Sequence, residues 1–116
     1  SPLEKLSVNG SIRAKEVKVE VANWTDYVFA EDYNLLSLPE LANYIKDNGK
    51  LPEVASALSA EKDGVNLGEM GKILLKKIEE LTLHLIEKDQ QLSKQKKENQ
   101  DLQKRMSRVE LLLNIN

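Results

Sequence analysis

His84 is the single histidine of the chain, and the chain has no cysteine. A zinc site needs four ligands, nearly always drawn from His, Cys and carboxylates, so His84 has no second soft donor to share a metal with. Its spacing places it beside a helical seam, where it reads as a solvated interhelical residue. Glu79-Glu80 and Glu61-Lys62-Asp63 offer adjacent carboxylates. Both runs read more naturally as exposed faces than as a general acid and base. Gly64, Gly68 and Gly71 lack the spacing and the Lys-Ser/Thr ending of a phosphate loop. The lysines between positions 94 and 97 lack interleaved aromatics and neighbouring arginines, a poor footprint for nucleic acid. Ser1 and Ser7 have no recognisable base beside them, as a self-cleaving nucleophile would need. Trp24, Tyr27 and Phe29 are the one ligand-stacking possibility, and the scarcity of aromatics points them instead to a small core. These residues predict no catalytic site, no cofactor and no bound metal.

The composition bounds the rest. Basic residues number 17 and acidic residues 19, a net charge of −2, so nothing draws the chain toward nucleic acid or an anionic membrane. No stretch reaches the ~20 apolar residues of a membrane span, and no signal peptide is visible. The absence of cysteine leaves the redox compartment undetermined. The opening Ser1-Pro2, without an initiator Met, reads as an excised C-terminal piece of something longer. All five aromatics, with Tyr33 and Tyr44 completing the set, lie in the first half. The second half therefore has little with which to build its own core, and its apolar side chains are expected to meet copies of themselves.

The elements follow from local pattern. Residues 6–10 read as a short strand ending in the turn pair Asn9-Gly10. Val17, Val19 and Val21 alternate with Lys18 and Glu20, the period of a half-buried strand. Ile12 and Ala14 are out of phase with them, which predicts a bulge or bend near Lys15-Glu16. Residues 23–36 are expected to be irregular and packed under a helix. Ser37-Leu-Pro-Glu40 is a capping box, Pro39 is tolerated in a first turn, and Asn48-Gly49 supplies a stop. A short amphipathic helix is thus predicted over residues 38–47, with a further helical turn around 56–62. Asn66, with Glu69 at the box position, is expected to cap a long helix over roughly 47 residues, about 70 Å at 1.5 Å per residue.

Within that helix a heptad register holds over about six repeats. Leu67, Leu74, Leu81, Lys88, Gln95, Leu102 and Val109 fall at d. Gly71, Ile78, Leu85, Leu92, Asn99, Met106 and Leu113 fall at a. The seam is strongly apolar from 74 to 85 and from 102 to 113, and polar between. The polar layers are either a solvated, frayed stretch or a register device, since a buried Asn99 or Gln95 is satisfied only opposite its own copy. The pairs Arg105 with Glu110 and His84 with Asp89 across neighbouring strands favour a parallel arrangement. Leu75 at e, with Ile73 and Leu83 nearby, widens the stripe beyond a two-stranded seam. That width suits three strands, or packing of the first half back onto the helix.

Several blocks resemble one family. They are Val8-Asn-Gly-Ser-Ile-Arg-Ala-Lys-Glu-Val17, Trp24-Thr-Asp-Tyr-Val-Phe29, Asp32-Tyr33, Leu51-Pro52, Gly64-Val-Asn-Leu-Gly-Glu-Met70 and Leu74-Leu-Lys-Lys-Ile-Glu-Glu-Leu81. Across nearly the whole chain they resemble the C-terminal domains of tail-fibre-like proteins of Bacteroidetes. More distantly the layout is similar to the intramolecular chaperone domain of phage endosialidases and tail spikes. The resemblance implies a homotrimer that aligns three fibre chains, on an extracellular fibre or a phage-like tail. The endosialidase group releases this module by cleavage at a Ser-Asp pair; the chain contains no such pair, so cleavage is not carried over.

The expectation is then an α+β chain: a small β-rich part with one short helix over residues 1–65, and a coiled-coil helix over 66–116. Its partners would be itself, as a trimer rather than a dimer, and an upstream fibre chain, with no nucleic acid and no membrane insertion. Leu67, Leu74, Ile78, Leu81, Leu85, Leu92, Gln95, Asn99, Leu102, Met106, Val109 and Leu113 would carry the association. Two other functions remain open: a surface-receptor module built on residues 24–33, and a self-cleaving chaperone.

Overall fold

Three helices in a row account for all the regular structure in a computed structural model that describes residues 3–22, Trp24 and residues 27–114. They are α1 (Leu38–Asn48), α2 (Ala57–Asp63) and α3 (Leu67–Asn114). The Ser1-Pro2 opening and the Asn23, Thr25 and Asp26 positions of the aromatic block lie outside the described residues. The molecule measures 92 × 32 × 29 Å, and its radius of gyration is 24.6 Å. A compact chain of this length would have a radius near 13 Å.

The expected β-rich part is not there: among the described residues no strand forms, and the chain is helical rather than α+β. Residues 3–22 form neither helix nor strand, with bends at residues 3–5, at Asn9-Gly10 and at Lys15, the last two where the sequence pattern places a turn and a change of phase. The correction has a physical reason. A strand is stabilised by a ladder with a second strand, and this segment has none beside it. Its alternating valines are used differently. Val19 and Val21 lie across the start of α3, so close that a Cβ on Gly68 would stand 2.7 Å from Val19 Cγ1 and 2.6 Å from Val21 Cγ2. Gly68 is the seat of this crossing because only glycine leaves room for another backbone's side chains there.

The helix ends follow local chemistry. Ser37 Oγ accepts from the Glu40 amide at 3.2 Å and donates to the Glu40 carboxylate at 2.9 Å. The Glu40 side chain thus turns to the Ser37 hydroxyl instead of the Ser37 amide that a full capping box would use. Gly49, at φ 67°, closes α1 by donating to the Ile45 carbonyl. Ser56 Oγ accepts from the Ser59 amide and starts α2. At the head of α3, the Asn66 carbonyl accepts from Met70, and Glu69 pairs forward with Lys72 at 3.5 Å rather than back toward Asn66.

Candidate assembly surface

α3 is one helix with two sides in different circumstances. The first side, at positions c, f and g of its upper turns, carries the segments around Tyr33 and Glu53, while the crossing of Val19 and Val21 lies apart at Gly68, an e position. Glu53 stands at the hub of this contact. Its backbone is in the left-handed region, φ 70°, uncommon for a side chain with a Cβ. Its carboxylate accepts from Lys76 at 2.8 Å and from Lys77 at 3.1 Å. Lys77 also pairs with Glu80 at 3.0 Å, and Tyr33 donates its hydroxyl to Glu80 at 2.5 Å. The Lys76 ammonium lies 5.0 Å from the centroid of Tyr27 and 6.0 Å from that of Tyr33. The two rings stand 5.7 Å apart.

These contacts move the titrations together. Burial and the hydrogen bond to Glu80 push the Tyr33 hydroxyl up to about 12. Burial alone would raise Glu53, but hydrogen bonds from Lys76 and Lys77 outweigh it and hold the carboxyl below its usual value. Lys76 moves up: its bonds to Glu53 and Tyr27 overcome the burial that would lower it. The cluster is an exchange of charge between α3 and the loops that cover it. Every charged member has a partner of opposite sign, so it works as a clasp and leaves no group poised for acid-base chemistry.

His84 belongs to this side too, and here the sequence reading needs correction. It is buried, at 7% exposure, rather than solvated between helices. His84 and Lys77, both at g, line a groove shared with residues 33–36 and with Leu38 and Leu41 of α1. Ile73 and Leu83 are half-buried on the same side. They hold the N-terminal half and do not widen the seam. The aromatic block is the reverse case: Trp24 and Phe29 are 51% and 56% exposed, outside any core, while Val28 between them is buried at 3%.

The second side is the seam, and among the described residues its apolar positions stay about half exposed or more. Leu67, Leu74, Ile78, Leu81, Leu85, Leu92, Leu102, Met106, Val109 and Leu113 range from 49% exposed at Leu74 to 70% at Leu113. Gln95 and Asn99 are exposed between them. The stripe runs the length of α3 without a break in register. Its upper part is the floor of a groove of about 470 Å³ whose opposite wall is made by Leu36, Leu38 and Leu41 at the start of α1, with Leu51 and Pro52. Sequence reasoning did not find this groove. The apolar side of α1 is legible, but which position of α3 it would stand beside is not.

The total accessible surface is 10899 Å². A folded monomer of 13.1 kDa exposes roughly 6,400 Å². The surplus, about 4,500 Å² on the same scaling, is of the size that obligate protein interfaces bury.

Among the described residues no group of His, Cys, Asp or Glu is placed to hold a metal ion, and no helix is long and apolar enough to cross a membrane. No protein family, curated protein or solved structure matches the chain.

Proposed function

We propose that this chain is an assembly module, whose α3 joins copies of itself in a parallel three-stranded coiled coil and so aligns the chains of a fibre. One observation carries the reading: an a/d stripe, apolar from Leu74 to Leu85 and again from Leu102 to Leu113 with polar layers between, lies exposed along a helix of 48 residues. Exposed leucines in that number stabilise nothing in a monomer, while burying each is worth about 1.5–3 kcal/mol. Once the helices are joined, contacts among the attached segments become intramolecular and their effective concentration rises. The fibre setting comes from the resemblance of the sequence blocks to tail-fibre-like C-terminal domains. Three strands are favoured over two by Leu75, the apolar e residue that flanks the seam near its upper end.

Light scattering with in-line size exclusion tests this at two concentrations. The expected mass is about three times 13.1 kDa at both. A stable monomer at both would end the assembly reading.

A second reading has its own support. Trp24, Tyr27 and Phe29 are 51%, 44% and 56% exposed in one short stretch. Aromatics displayed in this way suit recognition of a glycan or protein surface by stacking. Binding to a glycan array that is lost on Trp24→Ala would favour it.

A further inference from the structure

We infer that the groove between α1 and α3 is completed by a second copy of this chain, whose Leu75 and Ile86 enter it. The inference rests on the assembly reading and specifies which surfaces meet.

Around the axis of a heptad helix the positions run c, g, d, a, e, b, f. The groove occupies one contiguous arc of that circle: Glu80 at c, Lys77 and His84 at g, Leu74 and Leu81 at d, Ile78 at a. Its wall from α1 therefore rises on the g side alone. In a parallel bundle the g side of each helix faces the e side of its neighbour. A closed ring repeats that unlike contact around the axis. Whatever stands on the e and b flank of α3 must come against the groove of the next copy.

The e and b positions are apolar at one height only. Leu75 at e and Ile86 at b are 40% and 50% exposed, with Thr82 at e and the half-buried Glu79 at b between them. Below them the e positions are Asp89, Lys96, Gln103 and Glu110, and the b positions Ser93, Gln100, Ser107 and Asn114. The groove spans 74–84 on one flank, and the apolar patch spans 75–86 on the other. Leu75 and Ile86 are large apolar side chains outside the a/d seam, half exposed in one chain, and they coincide in height with the apolar groove. The groove is continuous with the proposed seam, so a neighbouring helix on the seam reaches it without a change of direction. The surplus surface noted above leaves ample area for both contacts.

Because the chain has no cysteine, the contact can be read by cross-linking. Full-length chains carrying Leu36→Cys, with an affinity tag, are refolded with untagged chains carrying Ile86→Cys. They are then treated with a short bismaleimide, and the mass of the mixture is measured in parallel. A covalent product of one tagged and one untagged chain is expected, several-fold above a control in which Gln100→Cys replaces Ile86→Cys. A trimeric mass with no such excess would overturn the groove contact and leave the assembly reading standing. A monomeric mass would overturn both. A third variant, Leu75→Glu with Ile86→Glu, is expected to weaken association while α3 stays helical. Unchanged association in that variant would also overturn the inference.

Discussion

The upper third of α3 and its lower two thirds are the same helix under opposite conditions. Down to His84 the helix carries the clasp of Glu53, Lys76, Lys77, Glu80 and Tyr33, the crossing at Gly68, and the cover of α1. From Leu85 to Asn114 every described residue is exposed. The upper part is ordered by packing within its own chain. The lower part has only its backbone ladder and weak pairs such as Arg105 with Asp101 at 3.9 Å. An isolated helix of that kind is marginal in water, because helices in proteins owe most of their stability to a buried face. The difference teaches where the order of the molecule comes from: it is made locally above, and below it is left to the association proposed for α3.

The comparison breaks most visibly at the seam. Leu92→Lys with Met106→Lys places charges in the lower a layers. Each removes an apolar contribution of about 1.5–3 kcal/mol per chain. The mass is expected to fall to 13.1 kDa. Amides below Leu85 should lose hydrogen-exchange protection while those near Glu80 keep theirs. Equal loss in both regions would mean that the two parts form one cooperative unit.

A smaller effect is expected at the crossing. Gly68→Ala sets a methyl 2.6 Å from Val21 Cγ2 and 2.7 Å from Val19 Cγ1, so the segment at 3–22 must shift. Overpacking of this kind costs about 1–3 kcal/mol. Protease nicking within residues 3–22 should accelerate, with the oligomeric mass unchanged.

The smallest effects follow from the clasp and sharpen the comparison by pH. Glu53 has a lowered pKa in the folded chain, so its contribution is present above the ordinary value of 4.5 and is lost as pH falls through the depressed one. Tyr33 has a raised pKa, so its contribution is complete below the ordinary value of 10.0 and is lost as pH rises through about 12. Partly exposed pairs of this sort are worth at most about 1 kcal/mol each. Tyrosinate absorbance should show one of the three tyrosines titrating late. Glu80→Gln should bring Tyr33 part of the way back toward the ordinary value of 10.0, because the acceptor charge is gone while the burial remains.

The helices were legible to a degree that follows from their chemistry. Capping serines, the Asn48-Gly49 stop and a long period of seven are local signals, and α1, α2 and α3 lie where those signals place them. The segment at 3–22 was misread because period-two alternation reports which side chains are covered, not what covers them. Val19 and Val21 are set against a helix at Gly68 in place of a sheet. His84 was misread for the related reason that a heptad position assumes the flank is bare, and here the covering chain comes from residues far away in sequence. Glu53 gave no signal at all. Its role depends on a left-handed turn that brings it to two lysines more than twenty residues ahead.

The segregation of side chains between these two regions has an optical consequence. Every indole, phenol and phenyl ring lies before Asn66, while most of the peptide groups in helical array lie after it. Near-ultraviolet dichroism and indole emission therefore observe the covered end alone. Far-ultraviolet ellipticity sums the helices of both ends. The unlabelled chain thus carries two different reporters, and a melting step seen in the far ultraviolet but not in the near ultraviolet belongs to the bare end.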